Sequence, residues 1–262
     1  MKKILITGHK GYIGQHLCKM LSSHPNIDII GLDSLESHEQ DIRYNTKCWH
    51  VDTVIHLAAL VKVGESVSQP WRYYDVNING TRNLLETVCY DNFILASTGA
   101  AENPLSPYGI SKRAAEDIVK EKAPIHTIFR FYNVTGTDGF EPTNPDGLFY
   151  NLMKAPERGY INLYGDDYNT IDGTCIREYI HVNDICKGLI KAIDTPSNNI
   201  ENLAYGEPRT VLDIINIFKK TNNVDFEVRI LPRRSGDLEA TYLKHPSKYT
   251  ECNYTYEQML KI

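Results

Sequence analysis

The stretch KKILITGHKGYIG, residues 2–14, decides the fold of this 262-residue chain. KKILIT is β-branched and apolar and runs into a glycine, the pattern of a buried strand. Glycines stand at positions 8, 11 and 14, and QHLCKMLSSH then carries apolar residues at helical spacing. After HPN a second apolar run, IDIIGL, ends in Asp33, 19 residues beyond Gly14. Strand, glycine turn, helix, strand and acid in that order make a dinucleotide-binding βαβ unit. Gly8 permits the tight turn, Gly11 lets the backbone approach a pyrophosphate, and Gly14 lets the helix lie close on the sheet. The helix N-terminus offers unpaired N–H groups to the phosphates, with Tyr12 and Ile13 in the same cradle. Asp33 is expected to accept from the adenosine ribose hydroxyls and to repel a 2′-phosphate, which favours NAD over NADP.

The alternation continues outward from this unit. Asp41 and Ile42 are candidates for an acceptor and an apolar wall at the adenine ring. VDTVIHLAAL reads as a strand entering a small-residue loop, where Leu57, Ala58 and Ala59 leave room for a ligand at the strand's C-terminal end. His56 reads as a packed strand histidine, and Asn77, near the start of the next helix, is assigned to the cofactor. NFILAST is a further strand ending in Ser97 and Thr98. The predicted fold is α/β, a doubly wound parallel sheet of Rossmann type with a smaller α/β C-terminal substrate lobe. Residues 1–135 are expected to form the nucleotide-binding domain, with 181–205 returning to it, and 136–262 mainly the lobe.

Composition narrows the partners. With 42% hydrophobic and 23% charged residues the chain has the make-up of an ordinary globular protein. A net charge of −5 argues against a nucleic-acid partner, and no run approaches the length of a membrane span. The N-terminal apolar run is too short for a signal peptide. Six widely spaced cysteines without a CxxC pair are expected to be reduced thiols of a cytoplasmic protein, with no metal site.

Two Tyr-x-x-x-Lys pairs compete for the chemistry. At this spacing a tyrosine and a lysine share one helical face, and a nearby cation lowers the phenol pKa. Tyr108 and Lys112 follow the hydroxyl-ended strand by ten residues, begin a segment of good helix propensity, and have Pro107 suited to the first turn. Thr98 and Tyr108 can therefore meet on one substrate oxygen. Tyr150 and Lys154 lack such a strand and run into Pro156. The first pair is expected to be catalytic and the second an ordinary helix face.

With the glycines, Asp33, Thr98, Tyr108 and Lys112 in place, the chain resembles the extended short-chain dehydrogenase/reductases, and among them the UDP-glucose (UDP-galactose) 4-epimerases. VIHLAALVKVGESVSQP, YYDVNINGT, SPYGISK, FRFYNVTG, YGDDYNTIDGTCIREYIHVNDI and RRSGDLEATYLKHPSKY carry the likeness along the whole length. The resemblance implies tightly bound NAD, a UDP-sugar substrate, C4 epimerisation and a homodimer packed through TRNLLETVCY and SKRAAEDIVK. It implies that Asn133 bonds the nucleotide diphosphate or uridine, that Leu148 and Tyr164 lie at the uracil, and that Arg177 and Arg234 grip the diphosphate. Asp237 would then accept from the uridine ribose, and Thr241 would border the hexose near its C2 substituent. The chain is shorter than its likenesses after Asp33, after Ile42 and between Thr98 and Tyr108. Two alternatives stand beside this reading. One is a sugar-nucleotide dehydratase or decarboxylase on the same fold, although Gly99 and Ala100 occupy the places where dehydratases carry an Asp-Glu pair. The other is a non-catalytic NAD-binding regulatory protein.

Overall fold

The apolar run Lys2–Thr7 forms β1 because alternate residues must satisfy two different cores. Ile4 and Ile6 face one side of the sheet and Leu5 the other. The computed structural model describes residues 1–45, 47–234, 237–243 and 247–262, so parts of the RRSGDLEATYLKHPSKY stretch lie outside the described residues. After β1 come α1 (Tyr12–Leu21), β2 (Ile27–Leu32), β3 (His50–His56), α2 (Val63–Ser68) and α3 (Pro70–Tyr74). A π turn at Asp75–Asn79 leads into α4 (Gly80–Thr87), β4 (Cys89–Thr98), α5 (Pro107–Lys122) and β5 (His126–Phe131). The crossover from β2 to β3 has only a short 3₁₀ turn, His38–Gln40, among its described residues. This is where the sequence is short.

The second half begins with β6 (Asn133–Thr135), α6 (Leu148–Arg158) and β7 (Tyr160–Tyr164). It continues with β8 (Ile176–Arg177), β9 (Tyr179–His181), α7 (Val182–Asp194) and β10 (Ile200–Leu203). Last come β11 (Arg209–Thr210), α8 (Val211–Asn222), β12 (Glu227–Leu231), β13 (Ala240–Thr241) and α9 (Tyr256–Met259). Six parallel strands order as β10-β5-β4-β3-β1-β2. The chain reverses direction at β1, the switch point of a doubly wound sheet, as the sequence pattern predicts. One apolar core lies between the sheet and α1 and α7, and a second between the sheet and α4 and α5. A third, built from α6, β7, α8 and α9, belongs to the lobe. All strands of a parallel sheet end at one edge, so the glycine turn, the Ala58 loop and Thr98 share that edge.

Candidate active site

The glycine turn is packed as its residues require. Gly8 adopts φ +72°, and a Cβ there would meet the backbone N of Ala58 at 2.7 Å. A Cβ on Gly14 would stand 2.3 Å from the carbonyl oxygen of Gly8, so any side chain would push α1 off the turn. Gly11 caps α1 without a side-chain bond, and the first turn holds no acid. Asp33 is buried at the end of β2, where its carboxylate accepts from the backbone N–H of Lys10 at 2.9 Å and of Leu35 at 3.0 Å. Tyr12 donates its hydroxyl to the carbonyl of Gly136, tying α1 to the loop after β6, and Ile13 packs on the first core.

Other residues assigned to the cofactor also make contacts within the protein. Asn77, 1% exposed, accepts from Leu60 N–H at 2.9 Å. Its amide donates to Leu60 O at 3.0 Å and Ser111 Oγ at 2.9 Å. It therefore braces the loop of Leu57, Ala58 and Ala59 against α5, from the π turn that aims it there. Ala58 N–H is held by Thr7 Oγ1 at 3.2 Å. Asp41 receives the Nε and Nη2 groups of Arg43 at 3.0 and 2.7 Å, which hold its pKa low. Ile42 is buried in the second core against Gly80. His56 lies between Thr7 Oγ1 at 2.7 Å and Thr81 Oγ1 at 3.0 Å, packed in its strand.

Ser106 starts α5 by accepting from Gly109 N–H, and Pro107 sits in the first turn. This places Tyr108 and Lys112 one turn apart with 8% and 4% of their surface exposed. Thr98 ends β4 beside the Tyr108 hydroxyl, where it opposes the rise of the phenol pKa. The expected lowering of the phenol pKa is not met. Burial pushes Tyr108 up to about 12, with only Thr98 opposing. The physical reason is that the cost of taking the phenolate out of water outweighs the effect of Thr98. The Lys112 ammonium is directed to the carbonyl of Ala96 at 2.7 Å. Lys112 itself is pushed down to about 8 by burial, partly offset by Glu116. In the other pair, Lys154 reaches Glu141 at 3.1 Å on the lobe.

Ser97 and Thr98 were read together, yet strand alternation sends them to opposite faces. Ser97 donates to Glu116 Oε1 at 2.5 Å. Glu116 is fully buried and takes Arg130 in a fork, Nε at 2.9 Å and Nη2 at 2.7 Å. This network joins β4, α5 and β5 beneath Tyr108 and Lys112, and sequence reasoning missed it. Glu116, one turn beyond Lys112, was its only visible signal.

A cavity of about 470 Å³ lies where the lobe meets the sheet edge. Asn133, Leu148, Tyr164, Arg177, Arg234 and Asp237 all line it. Residues 61–64 of the β3–α2 connection supply part of the wall. Asn133 is oriented by donating to Glu178 O at 3.0 Å. The Arg234 guanidinium lies 3.7 Å over the Tyr164 ring, so one face of that ring is covered by protein. Arg177 and Asp237 face each other at 4.0 Å. Thr241 pairs in register with Arg177 on β8 but does not line the cavity. Lys62 and Asn144 line it without having been foreseen; the Asn144-Pro-Asp-Gly turn before α6 was a readable sign of the latter.

A family model described as the NAD dependent epimerase/dehydratase family matches residues 4–205. The chain belongs to that family.

Among this epimerase/dehydratase's relatives, the UDP-glucose 4-epimerase of Pasteurella multocida is 31% identical, covering 98% of this chain and 95% of that protein. Their alignment extends over 326 residues against a chain of 262, so substantial segments of the relative have no counterpart here. The crystal structure of UDP-glucose 4-epimerase from Bifidobacterium longum in complex with NAD+ and UDP superposes with a TM-score of 0.82 at 28% identity, covering 98% of this chain and 96% of that one. The UDP-Glc/GlcNAc 4-epimerase of Campylobacter jejuni gives a TM-score of 0.75 at 28% identity, covering 99% and 98%. The chain of this epimerase/dehydratase fits NAD on its own geometry. An uncapped helix N-terminus without acids stands beside a turn that admits only glycine, and a buried Asp33 carboxylate, held by two backbone N–H groups, keeps lone pairs for a ribose.

Proposed function

We propose that this chain interconverts UDP-hexoses that differ at C4, through a transient 4-keto sugar, with NAD bound throughout. The observation that carries the reading is the cavity, which gathers two arginines, asparagines, aspartates and a helix N-terminus where the lobe meets the sheet. A nucleoside diphosphate needs that set of groups. NAD would be held by the turn of Gly8, Gly11 and Gly14, the first turn of α1, and Asp33. The chemistry that bound NAD supplies is reversible storage of the C4 hydride, together with a positive charge in its oxidised form.

The protein's own residues handle the proton and the pose. Tyr108 takes the proton of the sugar 4-hydroxyl and returns it to the same oxygen. Thr98 hydrogen-bonds that oxygen, which its place beside the Tyr108 hydroxyl at the end of β4 allows. With its proton bound at neutral pH, Tyr108 needs added positive charge to act as a base, and the Lys112 ammonium one turn away is the protein's contribution. Arg177 and Arg234 neutralise the diphosphate, Asp237 accepts from the uridine ribose, Leu148 and Tyr164 flank the uracil, and Asn133 orients the nucleotide. We assign residues 1–135 with 181–205 to the nucleotide domain and 136–262 mainly to the sugar lobe. We place the protein in the cytoplasm as a homodimer packed through α4 and α5, for which a monomer in sedimentation at micromolar concentration would be the contrary result.

Dehydration is disfavoured by a specific contact. A Cβ at Gly99 would lie 2.6 Å from the Tyr132 ring, so an acid next to Thr98 has no room without displacing that ring. The test is direct. Purified protein incubated with UDP-galactose should form UDP-glucose without added reductant. A chain that binds NAD but forms no UDP-glucose would favour the regulatory alternative, and release of a dehydrated keto sugar would favour the dehydratase.

A further inference from the structure

The opposite edge of the sheet carries a second cluster. The ligand atoms of Cys48, His50 and Cys89 all lie within 4.8 Å of one another, and all three residues are exposed. Cys48 and His50 stand two residues apart, and Cys89 joins them through strand pairing. His50 opens β3 and Cys89 opens β4, and the two are register partners in that parallel pair. Residues so paired send their side chains to one face at neighbouring-strand spacing. The Cys89 N–H donates to Trp49 O at 2.8 Å, which holds the cysteine beside the segment that bears Cys48 and His50.

We propose that Cys48, His50 and Cys89 bind one Zn²⁺ ion at the edge of the sheet remote from the active site. Two thiolates and an imidazole form a soft to borderline donor set that favours zinc and excludes magnesium and calcium, which need oxygen ligands. Ligand atoms on a tetrahedral zinc stand about 3.5–4 Å apart. The cluster must therefore close by about 1 Å, within the freedom of exposed side chains. The fourth position falls to water. Binding releases two thiol protons, leaves the histidine neutral, and changes no oxidation state. The cluster sits at the end of the strap that connects β2 to β3. Zinc would clamp that strap, which also carries Asp41 and Ile42, onto β4.

The test uses the full chain, reduced with a phosphine that does not bind metal, and Co²⁺ as the probe. One equivalent should bind with a thiolate-to-cobalt charge-transfer band and the visible absorption of a tetrahedral site, and Zn²⁺ should displace it. Free Zn²⁺ at about 100-fold above Kd should raise the Tm by about 5 °C or more. The Cys48→Ser and Cys89→Ser variants should lose the band, while Cys252→Ser, an exposed cysteine outside the cluster, should keep it. Zn²⁺ should also slow alkylation of Cys48 and Cys89 in the wild type, read by peptide mapping, which needs no variant to fold. Absence of a stoichiometric band in the wild type, a band that survives both serine variants, or unprotected Cys48 and Cys89 would each overturn the proposal.

Discussion

Tyr108 and Lys112 place opposing demands on one turn of α5. Chemistry needs a phenol that gives up its proton near neutral pH, while burial holds Tyr108 near 12. The Tyr108→Phe variant should keep the fold and lose several orders of magnitude in turnover, because no other group sits at the proton-accepting position. Tyr150→Phe should be nearly normal; comparable losses in the two would show that the wrong pair carries the reaction. Lys112 exacts a stability cost. Its folded pKa of about 8 lies below the unfolded 10.5, so the folded chain holds fewer protons between those values. Stability from this group is lowest below pH 8 and rises toward pH 10.5, a difference on the order of 3 kcal/mol. Lys112→Met should thus be more stable than wild type at pH 7, lose that advantage by pH 10.5, and be nearly inactive. Urea unfolding at the two pH values checks this, and a pH-independent loss of stability would contradict it. Thr241 tests substrate width. Thr241 stands off the cavity wall but pairs with the lining residue Arg177, so a bulky side chain there would exclude an acetamido group only by intruding past β8, at a cost of about 1–3 kcal/mol. UDP-GlcNAc and UDP-GalNAc are expected to be turned over by the wild type and selectively lost in Thr241→Tyr. A wild type inert toward the N-acetylated pair would end the idea.

At the scale of elements, α5 is held by polar groups as much as by apolar ones. Its apolar residues Ala115 and Val119 pack on the second core, yet Glu116 points into the sheet and meets Arg130 from β5 and Ser97 from β4. Breaking such a pair from one side leaves a buried charge without a partner, at about 3–5 kcal/mol. Glu116→Ala should therefore unfold at markedly lower urea, whereas replacing both partners, Glu116→Met with Arg130→Met, should recover much of the loss. Equal destabilisation in single and double variants would mean that shape rather than charge pairing matters there. The π turn at Asp75–Asn79 acts similarly by aiming Asn77 at Leu60 and Ser111. Its role is to position the loop and helix that border the site.

At the scale of the whole molecule, two buried histidines mark how the fold responds to acid. His56 joins β1, β3 and α4, and burial together with Lys112 pushes its pKa down to about 3. His181, between β9 and α7, is pushed down to about 4, mainly by burial, and stacks on Tyr254 with ring centroids 3.7 Å apart. Both folded values lie below the unfolded 6.5. Their stabilising contribution is fully present above pH 6.5 and is lost as pH falls through the folded values. Together they should remove on the order of 5 kcal/mol by pH 4. Unfolding free energy measured from pH 7 to 4 should fall steeply, and His56→Gln should show a shallower slope. An unchanged slope in that variant would assign the acid sensitivity to other groups. No helix among the described residues is long and apolar enough to cross a membrane.

The βαβ unit, Asp33 and the helix of Tyr108 were legible in the sequence because each rests on local rules: strand alternation, glycine at the tight turn, and helical spacing behind a cap and a proline. Parallel pairing followed from the same pattern, since a glycine turn and a crossover helix dictate it, whereas the order of the strands came from the tertiary structure. Tertiary structure decided what depends on burial and on meetings between distant residues. It alone raised the phenol pKa that spacing suggested would fall, and it engaged Asn77 with Leu60 and Ser111. It also covered one face of Tyr164 with Arg234, left Thr241 off the cavity wall, and brought Cys48 and His50 to Cys89. Spacing along the chain does not encode dielectric surroundings or the register of strands distant in sequence, and those two quantities set pKa values and assemble sites.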